Sequence, residues 1–380
     1  MDFKLTEKQQ FIQNMVREFA EKKLAPGAIE RDKTSEFDVE LYKEMGEMGI
    51  IGLPYPKEYG GSGEDYMAYA LAVEEISKVD AAVGISYSVS TSLYGGSIMA
   101  SGATEEQKKK FLTPVMKGES FGAFGLTEPN AGSDAGGCIT TAVRDGDYYI
   151  INGLKCFSTN GPLADYYVVY ALTEPEKGAK GLSAFVLETK TPGCSVGHIE
   201  DKSGIKSAQV SEMIFENCRI PAENLLGKEG DGFKIAMKTL DGGRIGVAAQ
   251  GLGIAKGAFE IARKYLMQRK QFGKQLFKNQ YLAFKMAELK VQIAQAEMML
   301  YKAATDKSLG EPYSQSAAMA KLVCTDAAMK VTIEAVQMLG GNGYMREYEV
   351  ERMMRDAKIT QIYEGTNEIQ KLIISGSIFR

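Results

Sequence analysis

Residues 121–137 read FGAFGLTEPNAGSDAGG, and the pattern of the chain changes there from helical to β-rich. Upstream, TEKQQFIQNMVREFAEKKLAP (6–26) spaces its apolar residues for one face of a helix that we expect to end at Pro26. Downstream, short runs are rich in branched and aromatic residues, namely YYIINGL (148–154), DYYVVYAL (165–172), GLSAFVLE (181–188) and VSEMIFE (210–216). The sequence therefore predicts a small antiparallel β domain that follows an all-α one.

A helical pattern returns at about residue 228. One stretch separates its apolar residues by three and four positions, as the buried seam of a bundle helix does: Leu282, Met286, Leu289, Ile293, Ala296 and Leu300. We therefore predict an α+β protein with an N-terminal all-α domain (1–120), a middle antiparallel β domain (121–227) and a C-terminal α-helical bundle domain (228–380).

Composition narrows the class of protein. The 380 residues are 44% apolar and 25% charged, with a net charge of −4, which is ordinary for a globular chain. The acidic balance argues against a nucleic-acid partner, and no apolar run is long enough for a membrane span. The charged N-terminal stretch lacks the apolar centre of a signal peptide. We expect a cytoplasmic protein, with a mature organelle matrix protein as the alternative.

The supply of cysteine and histidine restricts the chemistry. None of the five cysteines forms a CxxC pair, and His198 is the single histidine. Zinc ribbons, disulfide frameworks and two-histidine metal sites are therefore not supported, and a Ser-His triad would have to use His198. We predict no metal, and chemistry that rests on carboxylates, backbone amides, hydroxyls and a cofactor.

Three stretches could carry such chemistry, and each has a plainer interpretation. GLTEPNAGSDAGG (125–137) could cradle an anion on backbone amides, or could be only a turn. LDGGRIGVAAQ (240–250) places Asp241 and Arg244 on one helix face, where they could be only a structural ion pair, and its two glycines could admit a bulky group. KITQIYEGTNEIQ (358–370) puts Glu364 after apolar residues and before a capped helix, as either a general base or an ordinary loop glutamate.

Seven stretches together resemble the acyl-CoA dehydrogenase family, most closely its short-chain, butyryl-CoA type. In chain order they are PKEYGGSG, GAFGLTEPNAGSD, EDKSGIK, LLGKEGDGFKIAMKTLDGGRIGVAAQ, QRKQFGK, QMLGGNGY and MRDAKITQIYEGTNEIQ. The resemblance implies a C-terminal four-helix bundle, bound FAD and a homotetramer. It implies α,β-dehydrogenation of an acyl-CoA to the trans-2-enoyl-CoA, with Glu364 as the base and an electron-transferring flavoprotein as acceptor.

The resemblance also assigns expected roles by position. Expected cofactor contacts are Phe124, Leu126, Thr127, Gly132, Ser133, Phe157, Ser158, Thr159, Arg269, Phe272, Gln280, Gln337, Gly340, Gly341, Thr366 and Glu368. Expected substrate contacts are Ser133, Tyr87, Asp241, Arg244 and Gly365.

Departures from the family pattern bear on substrate and redox tuning. Phe157 stands where the family usually has Trp, and Gly84 stands where glutaryl-CoA dehydrogenases carry an arginine. Gly243 occupies the position from which some relatives supply the base, so Glu364 has no rival there. Tyr87 could shorten the acyl pocket, which favours a short uncharged acyl group, with a small branched or cyclic one as the alternative. Oxidase action, enoyl-CoA reduction and a non-catalytic scaffold are the competing functions.

Overall fold

The computed structural model describes residues 4–379, and eight α-helices precede the first strand. They are α1 (Glu7–Phe19), α2 (Ala28–Thr34), α3 (Val39–Glu47), α4 (Tyr66–Ser77), α5 (Ala81–Ser88), α6 (Gly96–Ala100), α7 (Glu105–Gln107) and α8 (Thr113–Met116). The predicted end of the first helix at Pro26 is wrong in detail. The α-helix ends at Phe19, and π and 3-10 turns then carry the chain past Pro26 into α2, because Pro lacks only an amide that the first turn of a helix does not use.

Strands occupy the middle of the chain. They are β1 (Gly122–Gly125), β2 (Thr141–Asp145), β3 (Tyr148–Thr159), β4 (Tyr166–Leu172), β5 (Leu182–Glu188), β6 (Cys194–Ile199), β7 (Val210–Pro221) and β8 (Leu225–Leu226). Seven follow the spatial order β6-β7-β3-β2-β4-β5-β8, and β1 pairs with β4. The sheet is mainly antiparallel as predicted, but β1 runs parallel to β4, with Gly122 opposite Tyr166. The two strands can be parallel because about 40 residues, including β2 and β3, return the chain between them.

The C-terminal part is helical around one hairpin. Its elements are α9 (Gly232–Gln268), β9 (Lys270–Gln271), β10 (Lys274–Gln275), α10 (Gln280–Ser308), α11 (Ser314–Leu339), α12 (Val350–Thr360) and α13 (Asn367–Ile378). The long helices α9, α10 and α11 pack together, and α12 lies against α9 and α11 to complete a four-helix bundle. The hairpin is absent from the prediction. It turns through Phe272 and Gly273, both with positive φ, in the manner of a type I′ turn.

Glycines let α9 pass close to its neighbours. A Cβ on Gly251 would lie 3.2 Å from the carbonyl oxygen of Cys324, and Gly253 and Gly257 face the backbone of Glu74 and Lys78. These glycines therefore allow α9 to pack closely against both neighbouring helices. This contact fixes α9 between α4 and α11, whose side chains meet at the site described below.

The predicted order of helical, β and helical parts is confirmed. The seam of α10 is confirmed too, since Leu289, Ile293, Ala296 and Leu300 are buried in the core. Within residues 4–379, none of the helices combines the length and apolarity that crossing a membrane requires. The same residues contain no group of three or more His, Cys, Asp or Glu that could hold a metal ion.

Candidate active site

Glu364 lies in a tight turn between α12 and α13. Its φ is 52°, a left-handed conformation that is unfavourable for a residue with a side chain, and Gly365 follows at 88°. The turn is held from both sides, because the amide of Asn367 donates to Gln361 O at 3.0 Å and Gln370 Nε2 donates to Gly365 O at 2.7 Å. The helix after it is capped by Thr366, whose side-chain oxygen accepts a hydrogen bond from the amide of Ile369.

The carboxylate of Glu364 is buried without a hydrogen-bond partner. Neither Oε1 nor Oε2 is accessible to solvent, and neither has a partner within residues 4–379. Burial raises the pKa of this carboxyl group to about 7, although the charges of Lys321 and Arg244 act in the opposite direction. A carboxylate with a pKa near neutrality and free lone pairs is suited to accept a proton.

The glycines of α9 make room for that carboxylate. A Cβ on Gly243 would overlap Glu364 Oε2 and would also lie 2.7 Å from Leu93 Cδ2. A Cβ on Gly242 would meet Lys307 Nζ. The expectation that something bulky approaches this part of the helix is therefore met by side chains of the protein itself.

Beside Glu364, a wall of hydroxyl groups formed by Tyr69, Tyr87 and Ser88 faces the same side of α9. Tyr69 from α4 and Ser88 from α5 are joined by a 2.7 Å hydrogen bond, and both would collide with a Cβ on Gly246. Tyr87 is buried, its hydroxyl has no hydrogen-bond partner in the part of the chain that the structure describes, and its ring lies 5.6 Å from that of Tyr69. Gly84 faces Ser77 Oγ closely and leaves no room for a long side chain.

Asp241 and Arg244 form an ion pair on α9, as their spacing predicts. Ser314 donates a second hydrogen bond to Asp241 at 3.0 Å. Burial lowers the pKa of Arg244 and raises that of Asp241. Lys307 Nζ lies 3.8 Å from the ring centroid of Tyr66, and burial lowers its pKa to about 7.

The loop after β1 presents unused donors. A 2.6 Å ion pair between buried Glu128 and Lys155 braces it, and Glu128 also accepts the amide of Ile139 at 2.7 Å. By contrast, Gly132 is exposed, and no hydrogen bond within residues 4–379 engages the side chain of Ser133 or the amides of either residue. A rigid loop with free amide and hydroxyl donors is suited to bind an anion.

The remaining expected cofactor residues lie in separate places. Phe157 is 64% exposed with a φ of 56°, whereas the hydroxyl of Ser158 is buried and bonded to Tyr167 at 2.6 Å. Phe124, Leu126 and Thr127 belong to β1 or the loop after it, and Thr159 ends β3. Six residues are exposed on the hairpin, at the start of α10 and at the end of α11: Arg269, Phe272, Gln280, Gln337, Gly340 and Gly341. Glu368 is exposed in the first turn of α13.

Sequence reasoning missed several residues of this site. Lys321 is buried near Glu364, and Tyr66, Tyr69 and Ser88 line the same face. A signal for Lys321 was available, because it stands in the small-residue stretch SAAMAKLVCT (316–325) of a predicted helix, where a lone lysine is unusual. Nothing in the sequence distinguishes Tyr69 from the other tyrosines.

The chain combines helices, a central β-sheet and a C-terminal helix bundle with a buried, unpartnered carboxylate. It belongs to the acyl-CoA dehydrogenase family. Its residues 6–119 match the N-terminal domain of that family, residues 123–218 the middle domain and residues 230–379 the C-terminal domain. The chain is 55% identical to the short-chain specific acyl-CoA dehydrogenase of Clostridium acetobutylicum, with all of both chains covered. The resemblance to the family that the sequence stretches carry is confirmed.

Solved structures agree with the curated relatives. The butyryl-CoA dehydrogenase of Megasphaera elsdenii superposes with a TM-score of 0.98 at 52% identity, again over the whole of both chains. A chain in the structure described as the electron transferring flavoprotein of Acidaminococcus fermentans superposes with a TM-score of 0.99 at 54% identity over both full lengths. The acryloyl-CoA reductase (NADH) of Anaerotignum propionicum is 46% identical, covering all of this chain and 96% of its own.

Proposed function

We propose that the protein oxidises a short-chain acyl-CoA, of the butyryl-CoA kind, to the trans-2-enoyl-CoA with FAD as cofactor. The observation that carries this proposal is the buried, unpartnered carboxylate of Glu364 in the space left by Gly243. Support for the substrate class comes from the relatives at 52–55% identity, which are named as short-chain or butyryl-CoA dehydrogenases.

The residues of the chain fit FAD. Free donors at Gly132 and Ser133 suit a diphosphate, and a Cβ on Gly132, Gly340 or Gly341 would meet nothing within 4 Å, so a ligand can approach the backbone there. The exposed rings of Phe157 and Phe272 suit the flat faces of a flavin and an adenine. When bound, FAD supplies the acceptor for a hydride equivalent. We assign to its binding the sixteen residues expected from the sequence, from Phe124 to Glu368.

Glu364 would remove the α proton of the substrate. A thioester α proton is only weakly acidic, so a base with a pKa of about 7 is better matched to it than an ordinary glutamate. The amide of Glu364 has no acceptor within residues 4–379, and we propose that it donates to the thioester carbonyl oxygen as negative charge develops there. Asp241, Arg244, Ser133 and Gly365 would line the path of the acyl-CoA.

The length of the acyl group would be limited by the hydroxyl wall. Tyr69 and Ser88 stand against Gly246, and Tyr87 supports Tyr69 from behind the pocket. A distal carboxylate would meet these hydroxyls and no arginine, because Gly84 has no room for one. This arrangement supports a short uncharged acyl group, and a small branched or cyclic one is the alternative substrate.

Exposed apolar side chains support association with further copies and with a redox partner. On the hairpin and the C-terminal helices they are Phe272, Phe277, Tyr281, Phe284, Val291, Ile333, Tyr344, Leu372, Ile378 and Phe379. Phe272 is 99% exposed, and removing such a side chain from water on association is favourable. We propose a homotetramer that buries these groups, and an electron-transferring flavoprotein as the physiological electron acceptor.

Anaerobic titration of the purified protein with butyryl-CoA tests the proposal. We expect the visible flavin band to bleach, and we expect Glu364→Gln to keep the band but lose the bleaching. A protein with no flavin, or a Glu364→Gln variant that still bleaches, would contradict the cofactor or the base, respectively.

Two other uses of the site are distinguished by the same preparation. Reduction of an enoyl-CoA is favoured by the 46% identity to a protein named acryloyl-CoA reductase. It predicts oxidation of the reduced flavin by crotonyl-CoA at a rate above that of the forward reaction. Oxidase action predicts stoichiometric peroxide when butyryl-CoA is added in air.

We also propose domain boundaries after residues 120 and 227, where the chain passes from helices to strands and back. The bacterial origin of the relatives at 52–55% identity supports the cytoplasm as the compartment.

A further inference from the structure

Lys321 is a fully buried lysine in the middle of α11. Its exposure is 0%, and Nζ donates to Asn367 Oδ1 at 2.9 Å. Among residues 4–379, no acidic side chain lies within 4.0 Å of its Nζ, and the other fully buried lysine of that range, Lys155, is paired with Glu128 at 2.6 Å. Burying an ammonium group without a carboxylate is costly, so its retention calls for another source of negative charge.

Asn367 links Lys321 to the turn that carries Glu364. Its side-chain nitrogen donates to Thr325 Oγ1 at 3.0 Å and to Asp326 Oδ1 at 2.8 Å, both on α11. Its backbone amide closes the turn by donating to Gln361 O at 3.0 Å. The side chain of Lys321 thus holds the residue three positions after Glu364.

Two cations influence the carboxylate of Glu364, and they are not equivalent. Lys321 acts on its pKa more strongly than Arg244 does. Arg244 is already neutralised by its ion pair with Asp241, whereas the one hydrogen-bond partner of Lys321 Nζ among the described residues is a neutral amide. The positive charge of Lys321 is therefore the less compensated of the two.

The other charged and titratable groups around this pair are few. Burial lowers the pKa of Lys321 to about 7, and the charge of Glu364 acts against that shift. Asp326 and Glu368 also raise the pKa of Lys321, but both are exposed and so are screened by water. Tyr66 and Tyr69 from α4 and Tyr363 beside the base have raised pKa values, so they stay neutral near neutral pH. The balance of charge at Glu364 thus depends mainly on Lys321.

We propose that Lys321 is a positioning residue for the reaction: its buried ammonium group keeps Glu364 ionised, and its bond to Asn367 holds the turn in place. The proposal rests on the assignment of Glu364 as the base. Ionised Glu364 and protonated Lys321 stabilise each other, so the base-competent form of the site is the one in which the lysine carries the proton.

The pH dependence of flavin reduction by butyryl-CoA tests this role. In Lys321→Met the acid limb of the rate should move to higher pH by about one unit or more, because an opposite charge is lost from an apolar site. One unit below the wild-type midpoint, the rate should fall by about tenfold relative to wild type, and at high pH it should recover to within a few fold. Lys321→Arg keeps the charge and should leave the limb near its wild-type position.

Two further variants separate charge from packing. Lys321→Gln keeps a donor for Asn367 Oδ1 but removes the charge, so it should shift the limb as Met does. A Gln variant with a wild-type profile would overturn the electrostatic role. Lys256→Met is the matched control, since Lys256 is a largely buried lysine on α9 that pairs with Glu74 at 2.6 Å and Glu297 at 2.7 Å. Lys256→Met should lower stability without moving the acid limb of the pH–rate profile. If it shifted that limb as much as Lys321→Met does, the proposal would be refuted.

A direct titration keeps this test independent of turnover. Isotope-edited infrared difference spectra would report the protonated carboxyl of Glu364, identified by its loss in Glu364→Gln. The midpoint of that band should rise in both Lys321→Met and Lys321→Gln, and an unchanged midpoint would refute the inference. Should Glu364→Gln turn over normally, the base assignment would fail while this titration still measured the effect of Lys321.

Discussion

Gly243→Ala introduces one methyl group where Glu364 and α9 meet. That carbon would lie 2.7 Å from Leu93 Cδ2 and closer still to Glu364 Oε2, whereas ordinary contacts begin at 3.4 Å. Leu93 is buried and cannot retreat freely, so the carboxylate must move, by about 1 Å. A displacement of that size at a reacting group costs about 100-fold in rate.

The stability of the same variant should change little. Alanine gains about 1 kcal/mol over glycine in a helix interior, and overpacking costs about 1–3 kcal/mol. We expect a net loss below about 2 kcal/mol, unchanged flavin content and a rate of flavin reduction by butyryl-CoA about 100-fold lower.

Gly251→Ala is the matched control for Gly243→Ala. Gly251 lies two turns further along α9, where a Cβ would press against the backbone of Cys324 at 3.2 Å and would not approach Glu364. Urea denaturation and anaerobic stopped-flow absorbance would be measured for both variants. If Gly243→Ala reduced its flavin at the wild-type rate, the placement of the carboxylate against Gly243 would be refuted.

Three further predictions concern pH, the loop brace and the pocket. In the folded protein the pKa of Glu364 is raised to about 7, so the free energy of unfolding falls as the pH rises from the pKa of the unfolded chain towards 7. Above pH 7, Glu364→Gln should be more stable than wild type by about 1–3 kcal/mol in urea denaturation. Equal stabilities at pH 8 would contradict this. Lys155→Met leaves Glu128 buried without its partner and should lower the free energy of unfolding by about 3–5 kcal/mol. The double variant Lys155→Met, Glu128→Gln should recover part of that loss. If Lys155→Met alone left stability unchanged, the ion pair would not brace the loop. Tyr69→Ala opens the space beside Gly246. It should raise the ratio of kcat/KM for hexanoyl-CoA to that for butyryl-CoA by about tenfold. If this ratio did not change, the acyl pocket would end at other residues.

Much of the site could be found from the sequence because its parts are contiguous. The turn carrying Glu364 is set by a short stretch with a glycine at the position that needs positive φ, and Asp241 and Arg244 pair at helical spacing. The hairpin at Phe272 was missed although QFGK holds a glycine at its turn, because the flanking strands are two residues long and carry no alternating pattern.

The amino-acid sequence by itself determined the order of helical and β parts, the family and the position of the candidate base, since each is written in local patterns of spacing and residue type. Only the tertiary structure decided that Glu364 lies against Gly243, 121 positions away in the chain. It also decided that Lys321 is hydrogen-bonded to Asn367, in the turn that carries Glu364. The physical reason is that a carboxylate's pKa depends on what excludes water from it and which charges remain nearby. Those neighbours come from helices α4, α9 and α11, which packing alone brings together.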